Sequence, residues 1–412
     1  MNIFDTKTKE VSGPINVIRM EGMVHGIKKV IYLFMDFHMD VTIQTECANV
    51  FSKDLNKYLA ENFYKLNDSP ITYDFFMEIN PSKILLLPNT ETVTLIHKDK
   101  YIKQVVKFFS SVFKYDPEKD VVRISDVFKN VRLHYLDIRD YLEDHIFNLL
   151  IRADSLSNTL MHYFNIPLNL LTQIINTLTT ARENLDKTVV IFKSGTNSNI
   201  KKLPTVKSYQ DFEPETIEHL IYKIKQSYKY NDIKNILVIY FEKYVDRLEI
   251  LSKEIGETIQ RIIAHGNIIN NNFDKLMKDP ETGEYNYGVS GNQRRKIVVD
   301  IVNSVDNLFI YSMTAFAKIT DIYMLRRFLD KDYITNAIVY SGANHSKTYV
   351  NILVAKFGFK ITHIVFSSVE DLDTLNKEIK INTDNDNVIT ELIFPRILHQ
   401  CSNITDFPNN FL

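Results

Sequence analysis

Cysteine is nearly absent from this chain: its 412 residues include only two, Cys47 and Cys401. Two cysteines so far apart in the sequence exclude a disulfide framework and favour a reducing compartment. The N-terminus lacks the basic-then-apolar order of a signal peptide, and no uninterrupted apolar run is long enough to span a bilayer. These absences predict a cytoplasmic protein with no membrane partner.

Neither sign of charge dominates, because the chain has 49 lysine and arginine residues and 51 aspartate and glutamate residues. The resulting net charge of −2 and the absence of a basic stripe argue against a nucleic-acid partner. The glycine-rich loops that cradle phosphates, G-x-x-x-x-G-K-S/T and G-x-G-x-x-G, are missing as well. Their absence argues against a nucleotide cofactor.

Alternating strand and helix patterns at the two ends of the chain predict an α/β fold. Four apolar runs each predict a buried strand, and these end at Phe37, Glu78, Asp137 and Tyr340. Their order favours one mostly parallel sheet flanked by helices, whose two halves are separated by long amphipathic stretches. We therefore predict one α/β domain in two halves. Residues 1–140 form its first half, and residues 332–412 form its second half with the C-terminal tail. Residues 141–331 form a large helical insertion that packs as a cap.

The most informative segment places a histidine just after a predicted strand. Ala337 to Tyr340 is a short apolar run, followed by the tight turn of Gly342-Ala-Asn-His345 and an amphipathic helix that ends at Gly358. His345 thus lies just beyond the carboxyl end of a strand, the edge at which open α/β sheets bind ligands. It is our first candidate for a catalytic residue.

A second polar cluster follows the first predicted strand. Asp36, His38 and Asp40 alternate along an extended segment, so that their side chains point to one face. Two carboxylates and an imidazole are suitable ligands for Zn²⁺, Mn²⁺ or Fe²⁺. The alternative is a strand end whose polar side chains only meet water.

Two more predicted strands end in charged residues. A carboxylate at Glu78 suits a general base or a metal ligand. Arg139 offers a charged fork of donors for an anionic or tetrahedral intermediate, although a salt bridge to Asp137 or Asp140 explains it equally well.

These strand ends predict one composite site with a divalent metal as its cofactor. The predicted metal ligands are Asp36, His38, Asp40, Glu78 and His345. The predicted catalytic residues are His38, Glu78, Arg139 and His345, with His134 or Asp137 in support.

The motifs resemble those of the superfamily that joins the TIKI and TraB/GumN proteins with erythromycin-esterase-like and ChaN-like proteins. Its members carry an acidic-x-His or Gly-x-x-His motif, a glutamate ending the second strand and a Gly-x-x-His near the C-terminus. Asp36-Phe-His38, Glu78 and Gly342-Ala-Asn-His345 are similar to these, and Arg139 is a loose match to the family arginine. Asp36 stands where glutamate is usual. The resemblance implies a hydrolase, metal-dependent in some members, that acts on a peptide, ester or amide.

Other interpretations stay open. The chain could be a scaffold or a virion-associated interaction protein of the same ancestry with degraded motifs. The Asp36-x-His38-x-Asp40 pattern also resembles the first metal motif of arginase-like ureohydrolases, whose second motif is missing here. The overall Asn-, Ile-, Lys- and Tyr-rich style resembles uncharacterised proteins of giant DNA viruses, which implies the host cytoplasm or the virion. Near-zero net charge favours a peptide or a small neutral ester or amide as substrate.

Overall fold

A computed structural model describes most of the chain and shows a mixed α/β fold, which confirms the α/β class. The described residues are 6–37, 46–78, 100–113, 122–123, 125–163, 165–194, 214–272, 275–383 and 385–412.

The strands of this part of the chain are short at the edges and longer in the centre. In chain order they are β1 (Glu10–Ser12), β2 (Asn16–Val24), β3 (Ile27–Asp36), β4 (Lys53–Asp54), β5 (Tyr73–Met77), β6 (Val122–Arg123), β7 (Val131–Tyr135), β8 (Leu276–Lys278), β9 (Tyr285–Tyr287), β10 (Asn336–Gly342), β11 (Lys360–Ile364) and β12 (Cys401–Asn403).

The helices include two of about forty residues. In chain order they are α1 (Leu55–Lys65), α2 (Lys100–Val112), α3 (Arg139–Thr159), α4 (Leu168–Lys193), α5 (Pro214–Lys225), α6 (Asn231–Asn271), α7 (Gly291–Asp330), α8 (Ala343–Phe357), α9 (Leu372–Ile381) and α10 (Asp386–Ile393). We refer to α3 through α7 as the helical segment.

Within the described residues, the central sheet has seven strands in the order β11-β2-β3-β10-β5-β7-β6. The four strands predicted from the apolar runs, β3, β10, β5 and β7, lie side by side and pair in parallel. The flanking strands β2, β11 and β6 pair antiparallel, so the sheet is mixed and a mostly parallel sheet is not confirmed. A tight turn at His25 and Gly26, both with positive φ, reverses the chain between β2 and β3 and thereby sets this antiparallel pairing.

The central sheet separates two hydrophobic cores. Along β3, Val30 and Phe34 pack on the side covered by α1 and α2. Ile31 and Leu33 face the opposite side, where they join the core of the helical segment. Successive side chains of a strand point to opposite faces, so a strand buried on both sides is apolar throughout. The helical segment therefore covers a face of the sheet rather than its carboxyl edge alone.

Helix α7 is the last helix of the helical segment and leads into β10 of the sheet. Its last third, from Lys318 to Asp330, is almost entirely buried. Among the described helices, α7 is long and apolar enough, by length and composition, to cross a membrane, but 67% of its most apolar window is buried inside the protein. A core helix passes the same test, and α7 packs as one.

The two cysteines form a disulfide, which corrects the prediction made from their number. The Cα atoms of Cys47 and Cys401 are 4.9 Å apart, within the range that a disulfide requires. The fold brings them together because β12 pairs with β1, whose Ser12 hydroxyl accepts a hydrogen bond from the backbone N–H of Cys47. The bond thus joins the segment before β4 to the C-terminal strand, two parts that are distant in sequence.

Candidate functional site

The carboxyl edge of the sheet brings Glu78 and His345 into contact. Glu78 follows β5, and the neighbouring strand β10 leads through Gly342 into α8. The backbone N–H of Gly342 donates to Glu78 Oε2 at 2.6 Å, so the carboxylate lies at the positive N-terminus of α8. In the first turn of this helix, His345 Nε2 is 3.3 Å from Glu78 Oε1. Helix α8 ends before Gly358, as predicted, and Gly358 adopts the left-handed conformation common at this position.

A third residue of this centre, Asp321, comes from α7. Its side chain is buried, and its Oδ1 is 2.6 Å from His345 Nδ1. The imidazole is thus held between two carboxylates, one on each nitrogen. We call Glu78, Asp321 and His345 the histidine centre. Asp321 was not among the predicted site residues, because nothing in the sequence of a long amphipathic helix distinguishes it.

The two carboxylates determine the charge of His345. Burial alone would lower the pKa of His345, but the negative charges of Asp321 and Glu78 outweigh burial and raise that pKa to about 10. The ring is therefore an imidazolium at neutral pH, and both of its nitrogens carry protons.

Arg139 adds a second cation to the histidine centre. Its Nη2 donates to Glu78 Oε1 at 3.2 Å, and its Nε and Nη2 donate to the two oxygens of Asp137, both at 2.8 Å. Burial would raise the pKa of Asp137, but the guanidinium outweighs burial and lowers it. The side chain of Arg139 is 23% exposed, against 7% for Glu78, so Arg139 lies on the side that solvent reaches. The predicted salt bridge to Asp137 is present together with the contact to Glu78.

Asp36 does not join the histidine centre. Asp36 lies two residues after Phe34, so both side chains point to the face of the sheet covered by α1 and α2. Glu78 lies two residues after Phe76, so it points to the opposite face, which the helical segment covers. Gln400 Nε2 donates to Asp36 Oδ1 at 3.0 Å. The prediction that all these groups converge is therefore wrong for Asp36, while His38 and Asp40 lie outside the described residues.

His134 belongs to a different buried network. Its Nε2 is 2.6 Å from Asp74 Oδ1, and its Nδ1 accepts a hydrogen bond from Arg327 at 2.9 Å. Burial and the charge of Arg327 lower the pKa of His134 to about 4, so the ring is neutral and its Nε2 donates to Asp74. Arg132 binds the same carboxylate with two hydrogen bonds, of 2.8 and 2.7 Å. Of the two predicted supporting residues, only Asp137 contacts the site.

The contacts of the histidine centre form an ion-pair network. Arg139 and His345 both lie against Glu78 Oε1, and Asp321 contacts the other nitrogen of His345. Within the described ranges, one group alone has its possible ligand atoms close enough together for a metal: Glu10, Cys47 and Cys401. Its two sulfur atoms are joined in the disulfide.

The chain also matches a known family over nearly its whole length. A family of unknown function, DUF5847, matches residues 9–412. The chain belongs to this family. Three uncharacterised proteins of Acanthamoeba polyphaga mimivirus are 42%, 34% and 33% identical to it, over 99%, 99% and 100% of this chain and 98%, 98% and 100% of the respective relatives. No solved structure matches the chain.

These similarities confirm the resemblance to giant-virus proteins. They do not support the resemblance to the TIKI and erythromycin-esterase-like superfamily, because the matching family has no assigned function. The geometry of the histidine centre is therefore the main basis for a functional proposal.

Proposed function

We propose that the histidine centre is the active site of a hydrolase that acts on a peptide or on a small neutral ester or amide. The observation that carries this proposal is the position of His345, held between two buried carboxylates at the carboxyl edge of the parallel strands. Titratable groups in contact at this edge are the usual components of an α/β active site. From the viral relatives we further infer that the protein acts in the host cytoplasm or in the virion.

Each group of the centre has a role in this reaction. Glu78 accepts a proton from water as the water oxygen bonds to the carbonyl carbon, and Arg139 stabilises the negative charge on the carbonyl oxygen. His345 donates its Nε2 proton to the leaving group as the bond to that group breaks. The 3.3 Å contact between Glu78 and His345 then returns the proton from the carboxyl group to the imidazole. Asp321 holds the ring in place through Nδ1 throughout.

Turnover of model substrates tests the proposal. We expect the purified protein to hydrolyse p-nitrophenyl acetate or members of a peptide and amide panel, with and without added Mn²⁺ or Zn²⁺. Glu78→Gln and His345→Gln should each lower the rate by about 10²–10⁴-fold, the usual contribution of a general acid or base. His265→Gln is the matched control, because His265 pairs with Asp300 inside the helical segment. Absence of hydrolysis under every condition, or equal rates in all variants, would exclude this function.

A second candidate is a scaffold in which the same groups serve stability alone. The Glu78 carboxylate is bound by Gly342, Arg139 and His345, and Asp321 is bound by His345, so the network joins α7 to β5 and α8. Such a network favours an interaction protein of the virion or the host cytoplasm. In that case His345→Gln lowers the free energy of unfolding, and no substrate is turned over by either protein.

A further inference from the structure

The hairpin of β8 and β9, which connects α6 to α7, leaves one edge of β9 open. In the part of the chain that the structure describes, these two strands form a sheet of their own, and no third strand pairs with β9. The backbone N–H of Asp279 donates to the carbonyl oxygen of Glu284 at 2.7 Å. Hydrogen-bonded and non-hydrogen-bonded pairs alternate along an antiparallel ladder. The N–H and C=O groups of Tyr285 and Tyr287 therefore point away from β8.

One face of this hairpin is apolar and exposed. Leu276 lies opposite Tyr287, and Tyr285 is two residues before Tyr287, so the three side chains point to the same face. Leu276, Tyr285 and Tyr287 are 54%, 54% and 58% exposed. An open strand edge beside exposed apolar side chains is a surface on which another strand can pair.

Charge distinguishes the two edges of the hairpin. Lys275 precedes β8 and Lys278 ends it. Lysine on an edge strand hinders pairing with another chain. In contrast, β9 has the sequence Tyr285-Asn-Tyr287, without a charged residue or a proline. The edge of β9 is therefore the one that can accept a further strand.

The sequence of β9 fits a second copy of itself. Tyr-Asn-Tyr is the same in both directions, so two antiparallel copies centred on Asn286 place Tyr285 of one copy opposite Tyr287 of the other. These are the residues whose N–H and C=O groups point outward, so each such pair can form two backbone hydrogen bonds. Cross-strand aromatic pairs stabilise the contact further. In the same register Glu284 lies opposite Gly288 of the other copy, so no like charges meet.

We propose that the protein forms a symmetric dimer through antiparallel pairing of β9 with β9 of a second copy, which joins the two hairpins into one sheet. Because both copies use the same surface, the contact is closed and does not extend into a filament. Strands this short make a small interface, so we expect a dissociation constant of about 10–100 µM. Asp321 lies about 45 Å along α7 from the hairpin, at 1.5 Å per residue, so the histidine centre is outside this interface.

Sedimentation velocity tests the dimer. We expect the wild type to change from monomer to dimer between about 5 and 200 µM, a range that brackets the expected dissociation constant. Tyr285→Lys should raise the dissociation constant at least about ten-fold, because it removes the aromatic pairs and places charge between the two β9 strands. Leu276→Lys is the matched control, since it adds the same charge to the same face of the hairpin but on β8. It should still form the dimer.

Cysteine cross-linking tests the register. In the proposed dimer Asn286 lies opposite Asn286 of the other copy in a non-hydrogen-bonded pair, where Cα atoms about 4.5 Å apart permit a disulfide. The two native cysteines are bonded to each other, so Asn286→Cys adds a free thiol. Mild oxidation should convert this variant into a covalent dimer. Met277→Cys, at the position opposite Asn286 on β8, is the control and should remain monomeric under the same conditions.

Several outcomes would overturn the proposal. They are a monomer at every concentration, a dimer unaffected by Tyr285→Lys, and equal cross-linking of the two cysteine variants. Loss of the dimer in Leu276→Lys alone would assign the contact to β8, and growth into larger species would indicate open pairing of β9 with β8. Any turnover of p-nitrophenyl acetate should be equal in Tyr285→Lys and the wild type, so the dimer and the hydrolase proposal can fail separately.

Discussion

At the scale of single residues, the position of a residue at a strand end predicted its place in the candidate site better than its chemical type did. Glu78 and His345 were foreseen because the carboxyl ends of parallel strands meet at one edge of a sheet. Asp36 satisfied the same criterion, but β3 is apolar on both faces, so the sequence does not reveal which face each residue takes. Asp321 could not be foreseen, because only the packing of α7 on the sheet brings it to His345.

The first prediction concerns the buried contact between Asp321 and His345. Asp321→Asn removes the charge that balances a buried imidazolium, and we expect it to lower the free energy of unfolding by about 3–5 kcal/mol. Asp300→Asn is the matched control on the same helix, because Asp300 pairs with His265 at 2.9 Å but its side chain is 43% exposed. It should cost less than about 1 kcal/mol.

Urea denaturation near neutral pH measures both variants. Similar small losses in the two would mean that Asp321 and His345 do not form a buried ion pair in solution.

At the scale of elements, the sequence predicted the parallel centre of the sheet but missed its antiparallel flanks. The central strands appear as uninterrupted apolar runs because both of their faces are buried. β2 mixes polar and apolar residues, among them Asn16, Arg19 and Glu21, so its pattern is less distinct although it is nine residues long. The turn at His25 and Gly26 was a usable signal, because glycine in a two-residue connection favours a hairpin. The pairing of Cys47 with Cys401 depends on β12 reaching β1, which no local pattern predicts.

The second prediction concerns the disulfide between these elements. Reduction should lower the free energy of unfolding by about 2–4 kcal/mol, because the bond closes a long loop in the unfolded chain. Cys401→Ser should show the same loss under oxidising conditions and no further change on adding dithiothreitol. Peptide mapping after alkylation without reductant should recover the peptides of Cys47 and Cys401 as one linked species. Recovery of both cysteines as alkylated monomers, with stability unaffected by reductant, would contradict the pairing.

At the scale of the whole molecule, α7 links two buried charge networks that differ in the charge of their histidines. Asp321 on this helix holds His345 as an imidazolium at the carboxyl edge of the sheet. Six residues later, Arg327 donates to a neutral His134. The sequence gives no indication of this arrangement, because it depends on which residues of α7 meet the sheet. The two histidines therefore respond to pH in opposite directions.

The last prediction is the dependence of stability on pH. The pKa of His345 rises from 6.5 to about 10 on folding, so its contribution is fully present below pH 6.5 and is lost as pH rises towards 10. The pKa of His134 falls from 6.5 to about 4, so stability is lost as pH falls from 6.5 towards 4, where the unfolded chain binds the additional proton. Each unit of pKa difference corresponds to about 1.4 kcal/mol, so each histidine changes the free energy of unfolding by several kcal/mol. We call the loss caused by His345 the alkaline limb of the stability profile and the loss caused by His134 its acid limb.

Denaturation curves between pH 4 and 10 test this prediction. Variants must be compared with the wild type, because the pKa of Lys29 falls to about 8 on folding, and its contribution to stability therefore increases with pH in the alkaline range, opposite to that of His345. His345→Gln should flatten the alkaline limb and leave the acid limb unchanged, whereas His134→Gln should do the reverse. The exposed His162 provides the control, and His162→Gln should follow the wild-type profile throughout. If His345→Gln kept the alkaline limb of the wild type, the imidazolium between Glu78 and Asp321 would be ruled out, and with it the proton donor on which the proposed hydrolysis depends.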